Sequence, residues 1–315
     1  MELAVLDLGS TTFHLQHFAG AASGLESVLD EKRSICLGAQ VFVDGLIDVT
    51  SWQRGLSAVE ELMALSDGRG LTERAVVATS AIRSARNGAQ FVQELERRHG
   101  CRVRVLEPHE EARLAYLGQL TSSVVAGRRI LAVDLGGGSV ELAVGDGLVP
   151  SHADSLPLGA VRMRVWERAT SFGAPEVTAL TQVLRAHLAA PLALVRQHRP
   201  ELVVFGSGSA RAARKLLSRN GKLRGKTGPI DVHSFAAALT QLLGRTQAEL
   251  IELDVEPARA PTVLVSATIM LQLLTQLGFE HAFVSDKGLR DGVAVELLAR
   301  SDARERSAHT LSATL

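Results

Sequence analysis

The 315-residue chain is 46% hydrophobic and 22% charged, and its 34 basic residues are matched by 34 acidic ones. This excludes wholesale disorder and leaves no net field to gather a polyanion, so any anion recognition has to be built locally. Aromatic residues at 4% argue against a nucleic-acid surface of stacking platforms, and two cysteines, Cys36 and Cys101, cannot make a disulfide framework.

The first strand, residues 3–7, ends in Asp7, turns through Leu8-Gly9-Ser10 and returns as a second strand over 12–18. The opening residues lack the basic head and apolar centre of a secretion signal. A ragged third strand covers 25–37, a helix of apolar period 49–65, a strand 74–79, and a helix 88–99. A strand at 102–106 leads into a helix at 108–120, with proline at its first position, where a missing N–H costs nothing.

After a boundary at 121–128, the opening motif returns: Leu131-Ala132-Val133-Asp134-Leu135-Gly136-Gly137-Gly138-Ser139 echoes Leu3–Ser10, and a strand at 140–145 follows. A strand is expected at 148–156, helices at 159–169 and 175–197, and a strand at 201–205 that runs into Gly206-Ser207-Gly208-Ser209. Helices at 209–218, 234–244 and 261–277, a strand at 281–285 and a helix at 289–299 complete the pattern. Residues 301–315 read as a loose polar tail. The longest apolar stretch, 263–274, is interrupted by Ser266, Thr268 and Gln272 and reads as a buried helix. No run approaches roughly 18 uninterrupted apolar residues. A cytoplasmic protein without membrane attachment is expected. Two hairpins of one pattern predict a duplicated α/β protein, 1–122 and 123–300, with a cleft between the halves.

Three glycines in Asp134–Glu141 let backbone N–H groups point into the turn, a geometry suited to phosphate oxygens; the plain alternative is an ordinary hairpin turn. Asp134, and Asp7 by the repeat, end strands where a carboxylate can hold a divalent cation directly or through water. Gly206-Ser207-Gly208 opens a helix and makes a third place receptive to anions. Glu110 and Glu111 stand in a first helical turn, where acids are favoured anyway; Glu110 lies about 100° around the helix from Glu111. Arg83 follows Thr79-Ser80 and either forks onto a phosphate or is a surface arginine beside Arg86. His14 aligns with Glu141 in the repeat and either faces the cleft or is structural. Arg211, Arg214, Lys215, Arg219, Lys222, Arg224 and Lys226 form a run without acids, either a polyanion track or a solvated face. Gly225-Lys226-Thr227 is no P-loop, since Asn220 stands where its first glycine belongs. The histidines show no zinc spacing, and no nucleophile elbow exists.

Asp7-Leu-Gly-Ser-Thr-Thr-Phe-His14, Thr79-Ser-Ala-Ile-Arg83, Glu110-Glu-Ala-Arg113, Asp134–Glu141, Ser155-Leu-Pro-Leu-Gly-Ala-Val-Arg162 and Gly288-Leu-Arg-Asp-Gly292 occur in this order over almost the whole chain. The series resembles the exopolyphosphatase / guanosine pentaphosphate phosphohydrolase family. The resemblance implies the duplicated actin-like, ribonuclease H-like fold of acetate and sugar kinases, Hsp70 and actin, and hydrolysis of phosphoanhydrides with Mg²⁺ in the cleft. It implies Glu111 as the catalytic carboxylate, Glu141 and Asp134 positioning water and metal, and Arg83 contacting phosphate. Gly9-Ser10-Thr11 and Gly136-Gly137-Gly138-Ser139 become phosphate loops. Thr11-Thr12 and Glu107-Pro108-His109 depart from the family's usual Asn-Ser and Ser-Gly, and the helical domains of longer members are not in the sequence. The expected substrate is inorganic polyphosphate, with guanosine pentaphosphate as the alternative and a second copy of the chain as a candidate partner. A kinase of the same fold and a non-catalytic nucleotide-binding module are the readings of other classes.

Overall fold

The computed structural model describes residues 2–21, 24–67, 71, 73–165, 171–218 and 225–312. Strands β1 (Glu2–Leu8), β2 (Thr12–Ala21) and β3 (Gly24–Ser34) precede helices α1 (Leu37–Asp44) and α2 (Val49–Asp67). Strand β4 (Glu73–Ala78), helices α3 (Ser80–Ser84) and α4 (Gly88–His99), strand β5 (Val103–Val105) and helix α5 (Pro108–Gln119) complete the first half. The second half opens with β6 (Ile130–Leu135), β7 (Val140–Gly145), β8 (His152–Leu156), α6 (Ala160–Val165), α7 (Ala174–Gln197), β9 (Leu202–Gly206) and α8 (Gly208–Leu217). It continues through β10 (Gly228–Asp231), α9 (Val232–Leu242), α10 (Gln247–Glu252), α11 (Val263–Leu277), β11 (His281–Ser285) and α12 (Leu289–Ser312).

The duplication predicted from the twin motifs is visible in the sheets. The first has the order β3-β2-β1-β4-β5 and the second β10-β11-β9-β6-β7-β8. In each, two antiparallel pairings join the hairpin to a third strand, and parallel pairings add the next two. Strand β10 is an addition at the outer edge of the second sheet. This is the duplicated actin-like fold.

The central strands are continuous apolar runs because both of their faces are covered. Ala4, Leu6 and Leu8 pack against the helices outside the first sheet, while Leu3 and Val5 face the opposite way. In β6, Leu131, Val133 and Leu135 face outward, and Ile130 and Ala132 face inward. Side chains alternate along a strand, so Asp7 and Asp134 fall on the two inward faces. The same parity puts His14 opposite Asp7 in the register and Glu141 opposite Asp134.

Two helices fill the space between the sheets. Tyr116 of α5 packs with Ile130, Ala132, Ala143 and Val204 of the second sheet. Leu289, Val293, Ala294 and Leu298 of α12 pack with Leu3, Val5, Phe18 and Val77 of the first. Each therefore covers the other half's sheet. They cross where a Cβ on Gly292 would lie 1.8 Å from the Leu114 carbonyl oxygen, so the backbones touch.

Helix α12 thus closes the core of the first sheet although it comes last in the chain. It runs on to Ser312, into the stretch read as a polar tail. Its last turns carry no apolar period, so propagation of a packed helix extends them where pattern reading stops. Short α1, α3, α10 and β10 also escaped pattern reading, being too brief to show a period. The expected strand at 148–156 is confined to 152–156, and Leu148 and Val149 are exposed at the hairpin tip. One helix among the described residues, α7, is long and apolar enough to cross a membrane; its Leu180, Leu184, Leu188, Leu192 and Val195 stripe lies in the second half's core. The stretch 263–274 is a buried helix as expected.

Candidate active site

The two inward-facing strand ends open into one cleft with a cavity of about 290 Å³. The hairpin turns meet across it. A Cβ on Gly137 would sit 2.9 Å from Thr11 Oγ1 and 3.0 Å from the Ser10 Cβ, and one on Gly138 would collide with Ser80 Oγ. These glycines are required because two loops approach face to face, leaving room for backbone and little else. Gly9, Ser10, Thr11, Gly136, Gly137, Gly138 and Ser139 all line the cavity, as do Asp7, Asp134, Glu111 and Glu141. Thr79 and Ser80 join them.

The second loop is held from behind. The N–H of Ala160 donates to the Gly136 carbonyl at 3.0 Å, and those of Val161 and Arg162 to the Gly137 carbonyl at 2.8 and 3.0 Å. Arg162 Nε donates to the Gly138 carbonyl at 2.9 Å while its guanidinium lies over the Phe42 ring. With its carbonyls tied to α6, this loop can present its other face to an anion.

Glu111 enters the cleft from the first turn of α5 and is only 7% exposed. Arg83 NH1 donates to its Oε2 at 2.8 Å and also to the Leu106 carbonyl. Arg83 is not among the residues that line the cavity, and its guanidinium braces the Glu111 carboxylate. Burial pushes Glu111 up to about 7 against the pull of Arg83, and the nearby Asp134 and Asp7 add to the rise. Glu110 turns away to Arg104. Glu107 is exposed and stands outside the cavity, its N–H donating to the Glu110 carboxylate at 3.2 Å.

Glu141 accepts from Ser155 Oγ at 2.8 Å, and burial followed by Glu111 and Asp134 raises its pKa well above the carboxylate range. Asp134 is pushed to about 7 by burial and by Asp7, against Arg211 and Arg290. Asp7 is likewise raised by burial, with Arg290 NH1 at 3.3 Å from Oδ2, while its Oδ1 is buried without a hydrogen-bond partner. An orphaned carboxylate oxygen beside a second raised aspartate is the environment a divalent cation relieves. Among the described residues no three His, Cys, Asp or Glu side chains converge as a ready ligand set.

The third loop reaches the cavity in part. Ser207 and Gly208 line the cavity, with Ser207 Oγ accepting from the Ala210 N–H at 3.1 Å as the helix cap. Gly206 does not line it: a Cβ there would strike the Gln119 amide at 2.0 Å. Gly208 is bare because Arg259 occupies the space, 2.1 Å from where a Cβ would be. The glycines here seat side chains.

Arg259 and Arg290 are residues that sequence reading missed as site groups, although Arg290 lay in a quoted motif. With Arg211 they line the cavity, and Arg290 lies against Asp7. Burial and the neighbouring Arg290 and Arg259 lower Arg211 to about 10. The basic run divides: Arg211, Lys215 and Lys226 line the cavity, whereas Arg214 is buried and donates to the carbonyls of Gly225 and Pro229. Arg219, Lys222 and Arg224 lie outside the described residues. His14 also lines the cavity, its Nε2 2.6 Å from Asp30 Oδ1; burial and Arg290 depress it to about 4, so the ring is neutral.

A phosphatase geometry of this kind has relatives. The model of the Ppx/GppA phosphatase family matches residues 16–301. The chain belongs to that family. Within the Ppx/GppA family, Exopolyphosphatase 1 of Mycobacterium tuberculosis is 29% identical over 310 residues, 95% of this chain and 88% of the relative. The Aquifex aeolicus Ppx/GppA structure superposes with a TM-score of 0.78 at 25% identity, covering 96% of this chain and 98% of its own. An exopolyphosphatase structure from Cytophaga hutchinsonii shares the fold with a TM-score of 0.87 at 20% identity, covering 95% and 98%.

Proposed function

We propose that this phosphatase is an exopolyphosphatase, releasing terminal orthophosphate from inorganic polyphosphate with Mg²⁺. The observation that carries the reading is the meeting of two phosphate-type hairpins, Gly137 against Ser10 and Thr11, in a cavity also lined by buried Glu111 and by Arg211, Arg259 and Arg290. Backbone N–H groups of the Gly136–Ser139 turn hold the terminal phosphoryl group, and the arginines neutralise the groups behind it. Water adds to the terminal phosphorus, the bridging P–O bond breaks, and the shortened chain leaves with the bridging oxygen. Glu111 takes the water's proton; Glu141, held by Ser155, orients that water. Asp7 and Asp134 would hold Mg²⁺, directly or through water. Bound there, the ion supplies charge neutralisation at the transferred group.

The lining favours polyphosphate over guanosine pentaphosphate. Among the described residues no Phe, Tyr or Trp lines the cavity, so these offer a guanine no stacking face there. The test is phosphate release from each substrate with Mg²⁺. Polyphosphate is expected to be turned over faster, and Glu111→Gln is expected to lower the rate by about 10²–10⁴-fold. Unchanged release by that variant removes Glu111 as the base.

A further inference from the structure

The turn between α10 and α11 places an acid where the cleft needs an anion. Asp254 adopts a left-handed conformation (φ 62°), uncommon for a residue with a side chain, and the Glu256 carbonyl accepts the N–H groups of Arg259 at 2.8 Å and Ala260 at 3.0 Å. The turn is therefore set, and the Glu256 carboxylate reaches two cations. Its Oε1 lies 2.5 Å from Lys32 Nζ, and its Oε2 lies 3.4 Å from Arg259 Nε. Lys32 belongs to β3 of the first sheet and Arg259 to the second half, so one carboxylate bridges the two sides of the cleft. All three line the cavity.

Two acids near this end behave otherwise. Asp254 pairs with Lys215 at 2.5 Å and Asp30 with His14 at 2.6 Å, each within its own half. Glu256 differs in spanning two oxygens between a lysine and an arginine, the arrangement a phosphoryl group adopts with the same cations.

We propose that Glu256 is a built-in stand-in for a substrate phosphoryl group, holding Lys32 and Arg259 until an incoming polyanion displaces it, and so setting the affinity of the cleft for phosphoryl chains. This rests on the polyanion reading of the cleft. Displacement is cheap because the side chains of Lys32 and Glu256 are 43% and 42% exposed, and ion pairs of that kind contribute little.

The test compares Glu256→Gln, which keeps the shape and removes the charge, with the unaltered protein. Calorimetric binding of inorganic tripolyphosphate is expected to tighten by up to about fivefold, the equivalent of an exposed ion pair. KM for tripolyphosphate falls with it, and kcat changes less. In a Lys32→Gln background the gain from Glu256→Gln shrinks, because one of the released cations is gone. Asp254→Asn, which removes a nearby charge paired with Lys215, gives a smaller gain. Equal or weaker binding by Glu256→Gln, an equal gain from Asp254→Asn, or no tripolyphosphate binding by either protein overturns the proposal. Absence of phosphate release by the unaltered protein overturns the hydrolase reading instead, and the binding comparison still decides the role of Glu256.

Discussion

At the scale of single residues, the proposed chemistry turns on how Glu111, its proposed base, is kept usable while buried. A carboxylate taken out of water resists ionisation, and Arg83 offsets that cost from the side away from the cavity. The result, about 7, lies where a base can both hold and give up a proton near neutral pH. The rising limb of kcat/KM against pH is therefore expected near 7. In Arg83→Met the limb should move upward by about one pH unit or more, because the opposite charge is lost. A limb that stays put in this variant would show that Arg83 does not tune Glu111. Of these residues, Glu111 was legible in the sequence through the family pattern. The task of Arg83 was not, because a guanidinium beside a cleft reads the same whether it faces substrate or a neighbouring acid.

Among the elements, glycine marks where backbones touch. Gly288-Leu-Arg-Asp-Gly292 now separates into parts: Gly288 lines the cavity, Arg290 holds Asp7, Asp291 accepts the Gly288 N–H at 2.9 Å, and Gly292 meets α5. A Cβ on Gly292 would lie 1.8 Å from the Leu114 carbonyl oxygen and 3.0 Å from the Gly118 nitrogen, both backbone atoms that cannot rotate aside. Gly292→Ala should therefore cost about 1–3 kcal/mol or more in denaturant unfolding. Gly147→Ala, with nothing within 4 Å, should stay within about 0.5 kcal/mol. Equal midpoints for the two variants would mean that α5 and α12 do not depend on this crossing. Helix positions were readable from apolar period, as α4 shows by matching its expected span, 88–99. The crossing was not readable, because the sequence separates its partners by most of the chain.

On the scale of the molecule, the cleft gathers buried acids. Glu111 and Asp134 both rise to about 7 from ordinary values of 4.5 and 3.8, mainly through burial. The folded protein thus holds protons that the unfolded chain gives up at lower pH. Their stabilising contribution is complete below the unfolded values and is lost as pH rises through about 7. With divalent cations chelated, the thermal midpoint is expected to fall between about pH 5 and pH 8, and Asp134→Asn should flatten that slope. A midpoint that rises over the range would contradict the burial of these groups.

Repetition of an apolar strand, an aspartate and a glycine turn was enough to determine the duplicated fold, the two loops and the parity that turns Asp7, His14, Asp134 and Glu141 inward. Those are local properties, carried by side-chain alternation and turn chemistry. Tertiary structure alone decided that α12 closes the first sheet, that Gly206 and Gly208 make room for Gln119 and Arg259, and that Glu256 meets Lys32 across the cleft. Contacts between residues far apart in the chain depend on how two bodies dock, and no period or motif in either segment records its partner.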